Sequence, residues 1–323
     1  MLPRPILRAA LALGGAFSPP ILSEGMRLDP SLAALLRRAP ARPDHTSPGN
    51  LRRQYATLPR STGLPLDPGV TTTPTLAGPR PARLYTPPTP SIASLLYFHG
   101  GGFIMGGLDS HDPLLRRLCA RASIRILSVD YRLAPEHPYP AAHEDAAAAL
   151  THALHALPRP LVIGGDSAGA NLAAFAVLTQ PGVALQCLLY PIVDTVSDEI
   201  DRYPSAKQYG KGYLLGLEDM NLCARLLAPH GIPAAVDWHG PRLSPMRHDL
   251  SQTPPTLITA AGFDPLRDQA YAYARMLRAV GRPAHVWLEP ALVHGFADLA
   301  GIIPTAAQAI NRLAHRLRLA LSQ

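Results

Sequence analysis

The chain has 323 residues, of which 47% are hydrophobic and only 16% charged, with 36 prolines and a formal net charge of +7. That composition can bury enough apolar surface to offset chain entropy, so extensive disorder is excluded, and no run of 18 or more apolar residues provides stable membrane insertion. The basic excess is 28 arginines and two lysines scattered in ones and twos, which argues against nucleic acid as a partner; Arg312, Arg316 and Arg318 are read as the solvated face of a C-terminal helix.

From the N-terminus, two arginines precede nine apolar residues, Ala9 to Phe17, which is the outline of an export signal. Three small residues in a row and Pro19-Pro20 blur any cleavage site, so the expectation is an N-terminal helix of a cytoplasmic protein, with export as the alternative. Cys119, Cys187 and Cys223 are odd in number and far apart, which favours a reducing compartment over a disulfide framework. Residues 61–81, rich in Thr, Pro and Gly, read as loop or irregular edge strand. Beyond them, β-rich runs at 82–85, 94–98, 124–130, 161–164, 185–190, 256–260 and 285–289 alternate with helical stretches at 113–122, 140–157, 168–178, 265–280 and 305–321. The rhythm is that of an α/β fold with a mostly parallel central sheet flanked by helices. Two segments break it, and both are read as a split helical cap over the C-terminal edge of the sheet: residues 1–60 and residues 195–235, the latter with Tyr209, Tyr213, Leu214 and Leu215. Residues 61–194 and 236–323 then form the two parts of one core.

The chemistry is concentrated in a few places. Gly165-Asp166-Ser167-Ala168-Gly169 follows a β-like run and opens a helix, the setting of a nucleophile elbow. A serine hydroxyl is a weak nucleophile at neutral pH and needs a histidine base oriented by a carboxylate. In the chain order expected of such a fold, Asp264 follows a buried strand and precedes Pro265, a position that also suits a helix N-cap; Asp268 is the substitute. Six histidines follow Ser167, at 230, 239, 248, 285, 294 and 315, and only His294 lies in a loop just after a strand in the required order. Gly100-Gly101-Gly102 after the strand at 94–98 can turn successive N–H groups toward one point, and with Ala168 supplies a candidate oxyanion site. The neighbouring His137, His143, Glu144 and Asp145 lack metal-ligand spacing, so no metal and no cofactor is expected.

Together, His99-Gly-Gly-Gly-Phe103, Gly106-Gly-Leu-Asp-Ser-His-Asp112, Asp130-Tyr-Arg-Leu-Ala-Pro-Glu136, Gly165-Asp-Ser-Ala-Gly169, Leu243-Ser-Pro245, Phe263-Asp-Pro-Leu-Arg-Asp268 and Val293-His-Gly-Phe296 resemble the hormone-sensitive-lipase-like family of bacterial serine esterases, of the α/β-hydrolase fold. The resemblance covers about residues 61–300, and Leu28 to Leu36 is similar to the start of that family's cap. It implies hydrolysis of short- to medium-chain carboxylic esters by Ser167, His294 and Asp264 through an acyl-enzyme. It also implies oxyanion donors at Gly101, Gly102 and Ala168, with His99 and Gly100 holding the loop. A deacetylase, amidase or lactonase using the same triad is the alternative; a non-catalytic ligand receptor would not need to keep His294. The expected partner is a small ester, and the sequence is compatible with a homodimer. Departures from the family are Ala170 after the pentapeptide and the acyl-side loop at 288–293, which Pro290 should stiffen. Asp130, Arg132 and Glu136 are read as one structural ion-pair network.

Overall fold

The computed structural model describes residues 3–38, 47–195, 202–228 and 237–322. Eight strands form one sheet: β3 (Thr71–Ala77), β4 (Arg80–Thr86), β5 (Ser94–Phe98), β6 (Arg125–Val129), β7 (Leu161–Asp166), β8 (Leu185–Leu189), β9 (Thr256–Phe263) and β10 (Ala284–Val293). Their spatial order is β10-β9-β8-β7-β5-β6-β4-β3; the six strands from β10 to β6 are parallel, and β4 and β3 are added antiparallel at one edge.

The six parallel strands read as continuous apolar runs because both faces are covered. In β5, Leu95 and Tyr97 belong to one buried cluster and Leu96 and Phe98 to the other. The first face is covered by helices α4 (Asp112–Ala122) and α10 (Pro304–Leu321), the second by α5 (Ala141–Ala156), α6 (Ala168–Ala176) and α9 (Arg267–Ala279). Ile310, Leu313 and Leu317 of α10 and Leu115 and Leu118 of α4 are almost completely buried, each stabilising the fold by about 1.5–3 kcal/mol.

Residues 61–81 do contain an edge strand, but at 71–77 it is regular rather than irregular, paired with β4 along its whole length. It lies at the sheet edge, where Pro74 is tolerated and solvent exposure removes any apolar alternation to read. The 288–293 segment is likewise part of β10, with a register shift between Glu289 and Val293, and not a loop. Arg318 is exposed as expected, but Arg312 and Arg316 are only partly solvated: both meet the buried Glu289 carboxylate, and the Arg316 guanidinium lies 4.7 Å from the centre of the Trp287 ring. Nor do Asp130, Arg132 and Glu136 form one network. Arg132 pairs with Asp145 at 2.9 Å, Glu136 with Arg52 at 2.6 Å, and the Asp130 carboxyl, pushed upward in pKa by burial, joins neither pair.

The first 60 residues split into two parts. Helices α1 (Arg4–Ala16) and α2 (Pro30–Arg38) flank a small hairpin of β1 (Leu22–Ser23) and β2 (Met26–Arg27), and this unit buttresses the β10 side of the core. Gly15 lets α1 lie against α2, since a Cβ there would stand 2.5 Å from the Pro30 carbonyl oxygen. Asp29 caps α2 through Ser31 and Leu32 N–H and accepts the Thr305 hydroxyl at 2.5 Å, tying the unit to α10. Helix α3 (Pro48–Ser61) lies elsewhere, with Arg52 donating to the carbonyls of Ile104 and Ala134, both at 2.7 Å. The second interruption contains α7 (Pro204–Tyr209) and α8 (Leu217–Leu227); the parts of it at 196–201 and 229–235, His230 included, lie outside the described residues. Among the described residues, no helix is long and apolar enough to cross a membrane.

Candidate active site

Strand β7 runs into α6 through one residue, Ser167, whose φ of 53° and ψ of −118° place it in a strained conformation. Two glycines make the turn feasible. A Cβ on Gly169 would stand 2.0 Å from the Phe98 carbonyl oxygen, and one on Gly165 would stand 2.4 Å from the Gly169 carbonyl carbon. The elbow therefore presses against the end of β5, and Ser167 projects at the carboxyl edge of the sheet. Ala170 is accommodated: it is fully buried in the cluster on that face.

The ends of β9 and β10 supply the next two groups. Asp264 follows β9 directly and is fully buried, its Oδ1 accepting the Leu266 N–H at 2.7 Å and its Oδ2 lying 2.9 Å from His294 Nδ1. His294 follows β10 and places Nε2 2.9 Å from Ser167 Oγ. With a proton on Nδ1 donated to the carboxylate, Nε2 presents a lone pair to the serine hydroxyl. The Tyr190 ring, 4.8 Å from the imidazole, limits how the ring can turn. Asp264 thus both turns the chain into α9 and orients His294, whereas Asp268 is engaged with Arg267 and the Ser205 N–H. His239 and His248 associate with the Arg247 region, and His285 and His315 are exposed.

The glycine loop after β5 turns back over the elbow through positive φ at Gly101 (121°), Gly102 (62°) and Phe103 (65°). Among the described residues, the N–H groups of Gly101, Gly102 and Ala168 donate to no protein acceptor, and all three residues line the cavity that contains Ser167. The Gly100 N–H is already used, donating to Asp166 Oδ1 at 2.9 Å. Asp166, the residue before Ser167, is a hub that sequence reasoning missed. It also accepts from Tyr97 Oη at 2.8 Å and lies 3.0 Å from His111 Nε2, so it ties the glycine loop to the elbow. Burial opposes charge on both partners, yet their mutual attraction outweighs it, raising the His111 pKa and lowering that of Asp166. His99 stacks on Tyr131 at 4.2 Å beneath the loop; burial, with the His111 charge nearby, pushes its pKa down to about 3 and keeps it neutral. The legible signal for this hub was the G-D-S-A-G pentapeptide together with His111, but which buried partners meet is a tertiary fact.

A cavity of about 490 Å³ opens above these groups. Leu51, Tyr55 and Leu58 of α3 form one wall, and Leu217, Cys223 and Leu227 of α8 form another. Cys223 reaches the glycine loop so closely that a Cβ on Gly102 would stand 2.4 Å from its Sγ. Leu214 and Leu215 also line the cavity, whereas Tyr209 does not: it is buried against Phe263 and Tyr213 and donates to Ser23. Further polar lining comes from Asp298, Tyr55 and Trp238, none of which the sequence singled out. His143 lies behind α6, its Nε2 3.1 Å from Asn171 Oδ1, and burial pushes its pKa down to about 4.

A family model described as the alpha/beta hydrolase fold matches residues 95–298. A carboxylic ester hydrolase, LipN, of Mycobacterium tuberculosis is 40% identical over 265 residues, spanning 76% of this chain and 69% of the relative. An ethyl acetate hydrolase of Pseudomonas putida is 36% identical over 255 residues, spanning 74% and 78%. Among solved structures, a hyperthermophilic esterase from Pyrobaculum calidifontis superposes with a TM-score of 0.76 at 29% identity, covering 90% of this chain and 98% of that one. With the elbow, the strand order and these relatives in agreement, the chain belongs to the alpha/beta hydrolase fold family, in its hormone-sensitive-lipase-like branch.

Proposed function

We propose that the protein is a serine carboxylesterase acting on short- to medium-chain acyl esters, with Ser167 as nucleophile, His294 as general base and acid, and Asp264 orienting His294. The observation that carries this reading is the unbroken chain from Asp264 Oδ2 through His294 to Ser167 Oγ, with both contacts at 2.9 Å, at the floor of a largely apolar cavity. As Ser167 Oγ attacks the ester carbonyl carbon, its proton passes to His294 Nε2, and Asp264 stabilises the imidazolium. The carbonyl oxygen gains negative charge and meets the unengaged N–H groups of Gly101, Gly102 and Ala168. Collapse breaks the bond to the alcohol oxygen, which leaves with the proton from Nε2. Water then enters, gives a proton to His294 and attacks the acyl-enzyme; the second collapse releases the acid and returns the proton to Ser167. Each oxyanion donor in such a site contributes about 3–4 kcal/mol to the transition state, so the glycine loop matters as much as the nucleophile.

Within this reading, α3 and α8 form a two-part cap from residues 1–60 and 195–235 around the core segments 61–194 and 236–323. The named activities of the ester-hydrolase relatives support carboxylic esters as substrates, and the leucine-lined walls suit an aliphatic acyl chain. The test is a p-nitrophenyl ester series from acetate to palmitate with the wild-type enzyme and Ser167→Ala. Turnover confined to the shorter esters and abolished in the variant is expected. Equal rates in the variant would end the proposal, and a maximum at palmitate would replace esterase with lipase.

A further inference from the structure

One polar group in the cavity has no part in the mechanism above. Asp298 lies on the 3₁₀ turn Phe296–Leu299, four residues beyond His294, and its side chain lines the same cavity as Ser167. Its Oδ2 accepts the Tyr55 hydroxyl from α3 at 2.9 Å, and its backbone carbonyl accepts the Thr62 hydroxyl at 2.6 Å, so the turn is held from two points on the N-terminal segment. Among the described residues Oδ1 has no protein hydrogen-bond donor, and it is not sealed in the interior. A carboxylate in a cavity also lined by Leu51, Leu58 and Leu299 is unfavourable unless its second oxygen is paired as well.

The chemistry of ester cleavage indicates what that would be. The leaving oxygen must take its proton from His294 Nε2, so the alcohol portion departs on the histidine's side of the tetrahedral carbon, opposite the oxyanion donors. Asp298 follows His294 by a single 3₁₀ turn and lies within reach of its charge, and Tyr55 holds it there from α3. Building on the esterase reading, we infer that Asp298, positioned by Tyr55, anchors the alcohol portion of the substrate, and that the preferred esters carry a free hydroxyl near the ester oxygen, as partial esters of polyols do. The hydroxyl donates to Oδ1, and the acyl chain lies along the leucines of α8.

Burial pushes the Asp298 pKa up to about 6, against the pull of the His111 charge, the Tyr55 hydrogen bond and His294; Asp166 adds to the rise. At neutral pH the group is therefore mainly ionised and an acceptor. Below about pH 6 it gains a proton and no longer discriminates for donors in the same way.

The experiment compares glycerol 1-monobutyrate with n-propyl butyrate, which share an acyl group and differ in the hydroxyls of the alcohol. The ratio of their kcat/KM values cancels the common titration of the acylating machinery. Wild type is expected to favour the glycerol ester by about ten-fold or more at pH 7.5. In Asp298→Leu the ratio should fall toward one, Tyr55→Phe should lower it partially, and in wild type it should decline as pH drops from 7 to 5. If Asp298→Leu does not fold, Asp298→Asn keeps the shape and should still lower the ratio. A wild-type ratio near one, or a ratio unaltered in both Asp298→Asn and Tyr55→Phe, overturns the inference while leaving the esterase intact. Failure of the esterase reading itself is distinct: wild type would then cleave neither ester faster than Ser167→Ala does.

Discussion

The floor and the walls of the cavity are built differently. Ser167, Asp264, His294 and the glycine loop all stand at the carboxyl ends of buried strands, where pairing with β5, β7, β8 and β9 fixes each backbone position. The walls come from α3 and α8, which meet the core through a few staples such as Arg52 of α3 to the Ile104 carbonyl and the Tyr139 N–H to the Leu227 carbonyl of α8. A rigid floor suits chemistry that requires reacting atoms about 3 Å apart. Walls joined by fewer contacts can vary in shape without disturbing it, so substitutions on the floor should alter rate or folding, and those on the walls should alter choice of substrate.

The largest effect belongs to the proposed nucleophile. Ser167→Ala should lower kcat/KM for p-nitrophenyl butyrate by about 10⁴-fold to 10⁶-fold with an unchanged circular dichroism spectrum. Asp264→Asn should follow at about 10⁴-fold, because an amide facing Nδ1 favours the wrong tautomer. Loss of less than ten-fold would mean that another group orients His294. Gly169→Ala tests the floor's packing. With its Cβ aimed at the Phe98 carbonyl oxygen from 2.0 Å, it should destabilise the protein by about 1–3 kcal/mol or more, read as a lower urea midpoint.

The walls should respond in another currency. Leu222→Trp on α8 narrows the cavity, so kcat/KM for the longest accepted acyl chain should drop by about ten-fold while acetate is hardly affected. Equal loss across the chain series would show that α8 does not meet the acyl group. A pH dependence of stability is expected as well. The His143 pKa is lowered to about 4, so as pH falls below 6.5 the unfolded chain takes up its proton first; stability present above pH 6.5 is lost progressively toward pH 4. His143→Gln should flatten the fall in urea midpoint between pH 6.5 and 4. His99 keeps part of it, and Asp298, raised to about 6, works in the opposite direction.

The same division explains what the sequence revealed. Groups on the floor were legible because local rules place them: Gly165 and Gly169 announce the elbow, Asp264-Pro265 a turn after a strand, although helix α9 starts only at Arg267, and three consecutive glycines a loop that leaves the Gly101 and Gly102 N–H groups unengaged. Strand β3 was legible only as one of two readings, loop or irregular edge strand, because Thr71–Ala77 is an exposed edge whose threonines and Pro74 carry no apolar alternation. The pairings of Glu289 with Arg312, Arg132 with Asp145 and Asp298 with Tyr55 were hidden for another reason. Each joins residues 13 to 243 positions apart, and only the folded sheet decides which of several carboxylates an arginine or tyrosine meets. Residues 1–60 were read as one cap segment, whereas α1 and α2 buttress β10 and α10 and, among the described residues of that segment, only α3 reaches the cavity.

The central claim is that Ser167 carries the acyl group. Incubation with a p-nitrophenyl alkylphosphonate followed by peptide mass analysis tests it directly, since the phosphorus centre stops at the first covalent stage. One equivalent of phosphonate on the peptide containing Ser167, appearing in step with loss of esterase activity and absent from His294→Ala, is the predicted result. Complete inactivation with Ser167 unlabelled, or label on any other residue, would contradict it.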